Sequence, residues 1–310
     1  MIRKIEKNSR EYPERLIRLS DPPKILNVQG IIPCEPMIAI IGTRKSDIRI
    51  NKFTENLAGD LAKRGYVILS GGALGVDTAA HKGALDVNGK TVSVLGSGFD
   101  YLYPKSNKSL FDAIKEKGAL ISEFPDNTPP SKWSFPRRNR LVAAMSSAVI
   151  VVSAPVKSGA LITARIARNI GVPVGAVPSA PGDFMGEGCN LLIKGGSAMI
   201  TNVTDVIKIV EKDNFSYQLK LPVNLSMNKN GDNAGKSKSI KDFNRESTKL
   251  IKGLSEEEKK IWLSLCFEPV HIDDIATQTG LSPKVVGSTL LKMEITGLIQ
   301  DTGAKRFVKL

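Results

Sequence analysis

Between residues 34 and 210, short aliphatic runs alternate with longer stretches whose apolar residues recur at helical spacing. The runs are Met37–Ile41, Tyr66–Ser70, Thr91–Leu95, Ala119–Ser122, Val149–Val152 and Pro173–Val177. They are rich in Val and Ile and lack polar alternation, as strands buried on both faces do. The intervening segments, Asn51–Arg64, Thr78–Leu85, Lys108–Lys117, Arg138–Met145 and Thr163–Ile170, read as helices. Repeated β-α units predict an α/β fold for residues 36–210, a doubly wound, mostly parallel, Rossmann-like sheet. Residues 1–35 read as an N-terminal extension packing on that core.

The pattern breaks at residue 211. Residues 211–252 are rich in Lys, Asn and Ser with few apolar anchors, which predicts a flexible basic linker. Regular patterning returns over residues 253–310. Ser255 precedes three glutamates and a helix carrying Ile261, Trp262 and Leu265. A short helix, His271–Thr279, ends at Gly280, and a third, Ser282–Thr296, ends at Gly297. Leu298–Gln300 and Arg306–Val308, joined by a turn, complete a small C-terminal winged helix domain.

Glycine or small-residue turns follow the strands: Gly42-Thr43-Arg44, Gly71-Gly72-Ala73-Leu74-Gly75, Gly96-Ser97-Gly98 and, several residues past its strand, Ser158-Gly159-Ala160. Loops at the carboxyl ends of parallel strands converge on one crevice, and glycines there let the backbone approach a phosphate. One such turn is ordinary chain reversal, whereas four in this placement suggest a phosphate-binding edge. The stretch Lys132-Trp133-Ser134-Phe135-Pro136-Arg137-Arg138-Asn139-Arg140 interleaves cations with aromatic rings. Rings can stack on exposed bases while cations follow the phosphates, the requirement of a single-stranded nucleic acid. Arginines offer bidentate phosphate contacts that lysines do not, although the same residues could form only a solvated face. Trp133 is expected in the core and Phe135 at a site rim.

Charge and chemistry narrow this reading. The formal net charge of +13 favours polyanionic partners, the alternative being a solubilising surface. The C-terminal module over 253–310 carries a net −1, so the surplus lies elsewhere. Three scattered cysteines, Cys34, Cys189 and Cys266, form neither a metal-ligand spacing nor a disulfide framework, which suits a reducing cytosol. The opening residues lack the apolar stretch of a signal peptide, and no run suggests a membrane span. No P-loop, complete dinucleotide fingerprint or Gly-x-Ser-x-Gly is present. His81 stands four residues after Asp77, so the pair could serve acid-base chemistry or simply orient the glycine loop.

Taken with their order and spacing, these motifs resemble the DNA-processing protein A family (DprA, also called Smf) over residues 36–207. The match runs through Gly42–Arg44, Ser70–His81, Gly96–Pro104, Ile121–Pro125, Phe135–Arg140 and Ser158–Ala164. The resemblance implies an extended Rossmann fold that binds single-stranded DNA without hydrolysing nucleotides. It further implies protection of incoming DNA in natural transformation, loading of a RecA-type recombinase, and a homodimer. By position, Arg44 and Lys132 would contact phosphates and Phe135 would stack a base. Amides would come from Gly71, Gly72, Gly96, Ser97, Ser158 and Gly159. Arg137, Arg138, Asn139, Arg140 and Thr163 complete the candidate set, with no catalytic residue, metal or cofactor. Ser153 stands where the family usually has a carboxylate, and Ser179 follows Pro178 where it usually has glycine. The rival is a nucleotide-processing enzyme of the lysine-decarboxylase-like phosphoribohydrolase type, for which the expected Pro-Gly-Gly-x-Gly-Thr turn and paired carboxylates are missing.

Overall fold

The computed structural model describes residues 1–218, 255–265, 270–296, 298–301, 303 and 305–309. The chain divides into two units, 1–222 and 223–310. In the first, the strands are β1 (Arg3–Glu6), β2 (Ile25–Gly30), β3 (Met37–Ile41), β4 (Val67–Ser70), β5 (Thr91–Val94) and β6 (Ala119–Ser122). They continue with β7 (Ala148–Val151), β8 (Val174–Ala176) and β9 (Ala198–Met199). Among the described residues they form one sheet in the order β1-β2-β6-β5-β4-β3-β7-β8-β9. The strands from β6 to β9 across this order pair parallel, while β2 runs antiparallel to both β6 and β1.

The helices are α1 (Ile48–Ala62), α2 (Val76–Asp86), α3 (Lys108–Lys117), α4 (Ser134–Met145), α5 (Gly159–Asn169), α6 (Glu187–Lys194) and α7 (Val203–Gln218). Alternation along β3 shows why its run is apolar throughout. Met37, Ala39 and Ile41 join one core with residues of α4 and α5. Ile38 and Ile40 join another with residues of α1, α2 and α7. A strand buried on both faces has no position at which water favours a polar side chain.

The sheet order reverses between β3 and β7. The chain leaves β3 for α1 on one face, and leaves β7 for α5 on the other. Loops diverging to opposite faces leave a crevice at the carboxyl edge, where ligands of open α/β sheets bind.

Residues 1–35 do more than pack on the core. They extend its sheet by two strands, with Leu26 and Val28 fully buried and Val28 opposite Ile121. Their apolar positions are divided between short strands and a 3-10 turn carrying Leu16, which hid the pattern. The expected linker start at residue 211 is corrected, because α7 runs to Gln218. Val206 and Val210 anchor that helix in the core, and its last turns continue beyond the buried anchors. Residues 219–252 of the expected linker lie outside the described residues. Ser179 has no left-handed φ, so serine meets no backbone strain there.

In the second unit, Ser255 and Glu258 form a reciprocal capping box at α8 (Glu256–Ser264). It is followed by β10 (Val270–His271), α9 (Ile272–Thr279), α10 (Pro283–Ile295), β11 (Ile299–Asp301) and β12 (Arg306–Lys309). The strands pair in the order β10-β12-β11 over a core that includes Ile261, Ile275, Leu290 and Phe307. The expected hairpin thus gains a third, two-residue strand. His271 caps α9, accepting from the Asp273 amide at 3.3 Å. Gly297 and parts of the terminal turn lie outside the described residues.

His81 lies inside α2 with no exposed surface, its Nδ1 bonded to the Thr91 hydroxyl at 2.7 Å. That hydroxyl donates to the Ile68 carbonyl, so Nδ1 carries the proton. Burial holds the imidazole neutral by pushing its pKa down to about 3. The unfolded chain takes up a proton near the ordinary 6.5. Between these values the unfolded state binds more protons, so this group's contribution to stability falls as pH falls. Asp77, whose carboxyl burial pushes up, acts in the opposite direction. Comparison with His81→Asn isolates the histidine. Urea unfolding at pH 7 and pH 5 should show wild-type stability falling more than the variant's, by at most about 1.4 kcal/mol per pH unit. Parallel pH profiles would count against a neutral buried His81.

Candidate nucleic-acid interface

A crevice of about 280 Å³ opens at the switch point. The turn after β3 supplies Gly42, Thr43 and Arg44, the turn after β4 supplies Gly71 and Ala73, and the first turn of α2 supplies Asp77. Helix α4 adds Phe135, Pro136, Arg138, Asn139 and Val142, and the segment into α5 adds Pro155, Ser158, Gly159, Ala160 and Thr163. Segments distant in sequence therefore meet where the sheet topology requires them to.

Helix α4 starts at Ser134, four residues before the expected Arg138, and this draws Phe135 and the three arginines into its first turns, with Lys132 and Trp133 just before it. The Ser134 hydroxyl is buried, accepts from the Ser131 amide at 3.0 Å and donates to the Gly96 carbonyl at 2.5 Å. It pins the helix start to the end of β5. Phe135 consequently lies on Gly96, where an added Cβ would stand 2.6 Å from the ring. The half-buried ring has the exposed Arg44 guanidinium 5.0 Å from its centroid and the Tyr103 ring at 6.0 Å. Cation and ring thus share one rim of the crevice.

The other arginines divide by position. Arg138 is 4% exposed. Its Nη1 donates to the Gly71 carbonyl at 2.6 Å and also to the Val94 carbonyl, tying the ends of β4 and β5 together. Burial pushes its pKa down to about 10, while Asp77 opposes that shift. Asp77 accepts from the amides of Gly71 and Ala73 at 3.1 and 3.3 Å. Its burial raises the carboxyl against the pull of Arg138. Asp77 and Arg138 thus influence each other electrostatically beneath the glycine loop, and His81 is buried in the core, bonded to Thr91.

Arg140 is also buried and serves the fold. It pairs with Glu123 at the end of β6 and donates to the Asp21 carbonyl at 2.8 Å, fastening the N-terminal segment. Arg137 is more exposed and reaches the same Glu123 carboxylate at 3.3 Å. Burial raises the Glu123 carboxyl, while Arg140 and Arg137 oppose that shift.

Asn139 links Arg138, whose Nε donates to its Oδ1 at 3.2 Å, to the Gly159 carbonyl at 3.4 Å. Ser158 caps α5, accepting from the Leu161 amide at 3.4 Å, and the buried Thr163 hydroxyl donates to Gly159 at 3.2 Å.

Of the sequence candidates, the crevice gathers Arg44, Gly71, Phe135, Arg138, Asn139, Ser158, Gly159 and Thr163. Gly72, Gly96, Ser97, Lys132, Arg137 and Arg140 fall outside its lining. Gly72 accepts from Asn107 through its carbonyl at 3.1 Å. The buried Ser97 hydroxyl donates to the Tyr101 carbonyl at 2.7 Å. Lys132 is exposed at the α4 start. Trp133, expected in the core, is 59% exposed. It precedes α4 as its N-cap residue, and a T-shaped contact with Phe124 at 5.5 Å holds only part of the indole. Sequence reasoning gave no site role to Tyr103, although its motif was recognised. Ser153, in place of a carboxylate, is buried and donates to the Met185 carbonyl at 2.9 Å. Among the described residues no group of three His, Cys, Asp or Glu could hold a metal ion, and no helix is long and apolar enough to cross a membrane.

Gly71 is required by close approach. A Cβ there would lie 2.6 Å from the Arg138 guanidinium carbon. Gly71→Ala should therefore destabilise the protein by about 1–3 kcal/mol, the ordinary range for overpacking a filled site. Urea unfolding measures this, and an unchanged midpoint would remove Arg138 from its place against the loop.

Residues 3–211 match the model of the DNA recombination-mediator protein A family, and residues 245–304 match that of the DprA winged helix domain. The chain is 32% identical over 308 residues to Protein Smf of Synechocystis, covering 96% of this chain and 77% of that protein. The X-ray structure of DNA processing protein A from Streptococcus pneumoniae superposes with a TM-score of 0.64 at 36% identity, covering 67% of this chain and 74% of that one. The Helicobacter pylori DNA processing protein A, whose structure describes a single-stranded DNA binding mode, gives 0.62 at 35% identity, covering 69% and 97%. Sequence, sheet order and winged module together place this chain in the DNA recombination-mediator protein A (DprA/Smf) family.

Proposed function

We propose that this protein binds single-stranded DNA along the carboxyl edge of its sheet, protects it, and helps load it with a RecA-type recombinase during natural transformation and recombination. It acts in the cytoplasm as a homodimer and performs no chemistry on the nucleotide. The observation that carries this reading is the rim formed by Arg44 and Phe135, with a cation 5.0 Å from the centre of a half-buried ring at a crevice mouth. Phosphate attraction and base stacking are thereby offered side by side, which suits a sequence-tolerant single-strand site.

The rival reading, a nucleotide-processing enzyme, would place an available acid or base beside the ligand. Asp77 is the carboxylate among the crevice residues, and it is buried and occupied by two loop amides. His81 is neutral and bonded to Thr91. Both are engaged in structure, which favours binding over catalysis. The net −1 of residues 253–310 likewise favours a partner- or dimer-facing role for the winged module over duplex binding.

Phe135→Ala should weaken binding of a short oligothymidylate by about 1–3 kcal/mol, the worth of one base stack. An unchanged affinity in a fluorescence-anisotropy titration would remove Phe135 from the site. Salt dependence separates the cations. Arg44→Ala should reduce the slope of log K against log salt by about 0.7, the loss of one phosphate contact on a single strand. Arg140→Lys, at a buried position committed to Glu123 and Asp21, should leave that slope unchanged. Equal slopes for wild type and Arg44→Ala would locate the phosphate track elsewhere.

A further inference from the structure

Trp133 is not explained by the crevice. A single exposed apolar side chain is ordinary, but an indole combines the largest side-chain surface with a flat ring that prefers to stack. Here 59% of the residue is exposed, even though the neighbouring Phe124 is itself only 5% exposed. The T-shaped contact between them, at 5.5 Å and 79°, fixes the indole in place without burying it. An aromatic ring that is held rigidly and left open is suited to receive another flat ring, because little conformational freedom is lost when that ring arrives.

Its neighbours give the ring a context. Lys132 is exposed immediately before it. Phe135, two residues later on the same α4 start, lines the crevice and meets Tyr103, which is 48% exposed. The aromatic surface continues from Phe135 to Tyr103, past the crevice lining, and Trp133 stands at the same helix start two residues before Phe135. The Ser131–Ser134 hydrogen bonds at 3.0 and 3.2 Å brace the short segment that carries Lys132 and Trp133.

Resting on the single-strand reading above, we propose that Trp133 is a second base platform outside the crevice. A strand whose phosphates lie near Arg44 and whose base stacks on Phe135 continues onto the indole of Trp133, and Lys132 attends the phosphate between. The occupant is a further nucleobase of the same single strand. A sequence-tolerant stack is the chemistry that an exposed indole beside a cation offers.

The protein's own fluorescence tests this. The chain holds two tryptophans, Trp133 and Trp262, so the full-length Trp262→Phe variant reports on Trp133 alone. Titration with oligothymidylate should quench that emission in step with binding followed by anisotropy of a labelled oligonucleotide. Trp133→Leu, which keeps an apolar side chain against Phe124, should weaken binding about tenfold with little change in melting temperature, and Trp133→Phe should recover most of the loss. Emission that stays constant while the oligonucleotide binds, or equal affinities for Trp133→Leu and wild type, would overturn the second platform. With Phe135→Ala still impairing binding, the single-strand reading would survive that result. No binding of oligothymidylate at all would overturn both. Should the leucine variant fail to fold, quenching in Trp262→Phe still decides the question.

Discussion

The crevice depends on one buried cation. Arg138 lies beneath the glycine loop and bonds the carbonyls that end β4 and β5, and Asp77 offsets its charge while accepting the loop's own amides. Burying a guanidinium is costly unless its donors and its charge are both satisfied. Meeting that condition fixes three things together: the spread of two strand ends, the path of the Gly71–Gly75 loop, and the seat of α4. From that seat, Ser134 reaches Gly96 and Phe135 is presented on the crevice rim. A basic residue in the candidate stretch thus builds the site's floor, and the exposed Arg44 supplies the charge at its mouth.

The division among the cations explains how one short stretch can do several jobs. Four cations fall within nine residues, yet a helix sends successive side chains in different directions. Arg138 and Arg140 turn inward to the sheet and to the N-terminal segment, whereas Lys132 and Arg137 remain toward water. Glu123 collects both Arg137 and Arg140. Part of the positive charge that suggested a polyanion partner is therefore spent on holding α4 to β6 and to Asp21.

Much of this was legible in the chain because burial on both faces leaves a strong signature. The six central strands and the glycine turns were readable, and the reversal of strand order between β3 and β7 placed those turns at one edge. Strands β1 and β2 were not legible, since short half-buried strands among charged residues look like coil. The extension of α7 to Gln218 escaped notice because its last turns carry no apolar periodicity. At the crevice, the motif pointed to the α4 segment that lines it but could not tell which arginine faced in. That choice depends on the carbonyls of Gly71 and Val94, which only the assembled sheet brings together. Trp133 was misplaced for a related reason: size and apolarity argue for burial, and the sequence holds no sign that Phe124 would fill that space instead.

Single-strand recognition at the sheet edge, as proposed, joins stacking to phosphate attraction. The most direct measurement compares the affinity of the full-length protein for a single-stranded oligonucleotide and its duplex at two salt concentrations. Tighter single-strand binding at both, with a gap that persists at high salt because stacking is not screened, is the predicted result. Equal affinities that collapse together as salt rises would show a charge-only surface and contradict the account.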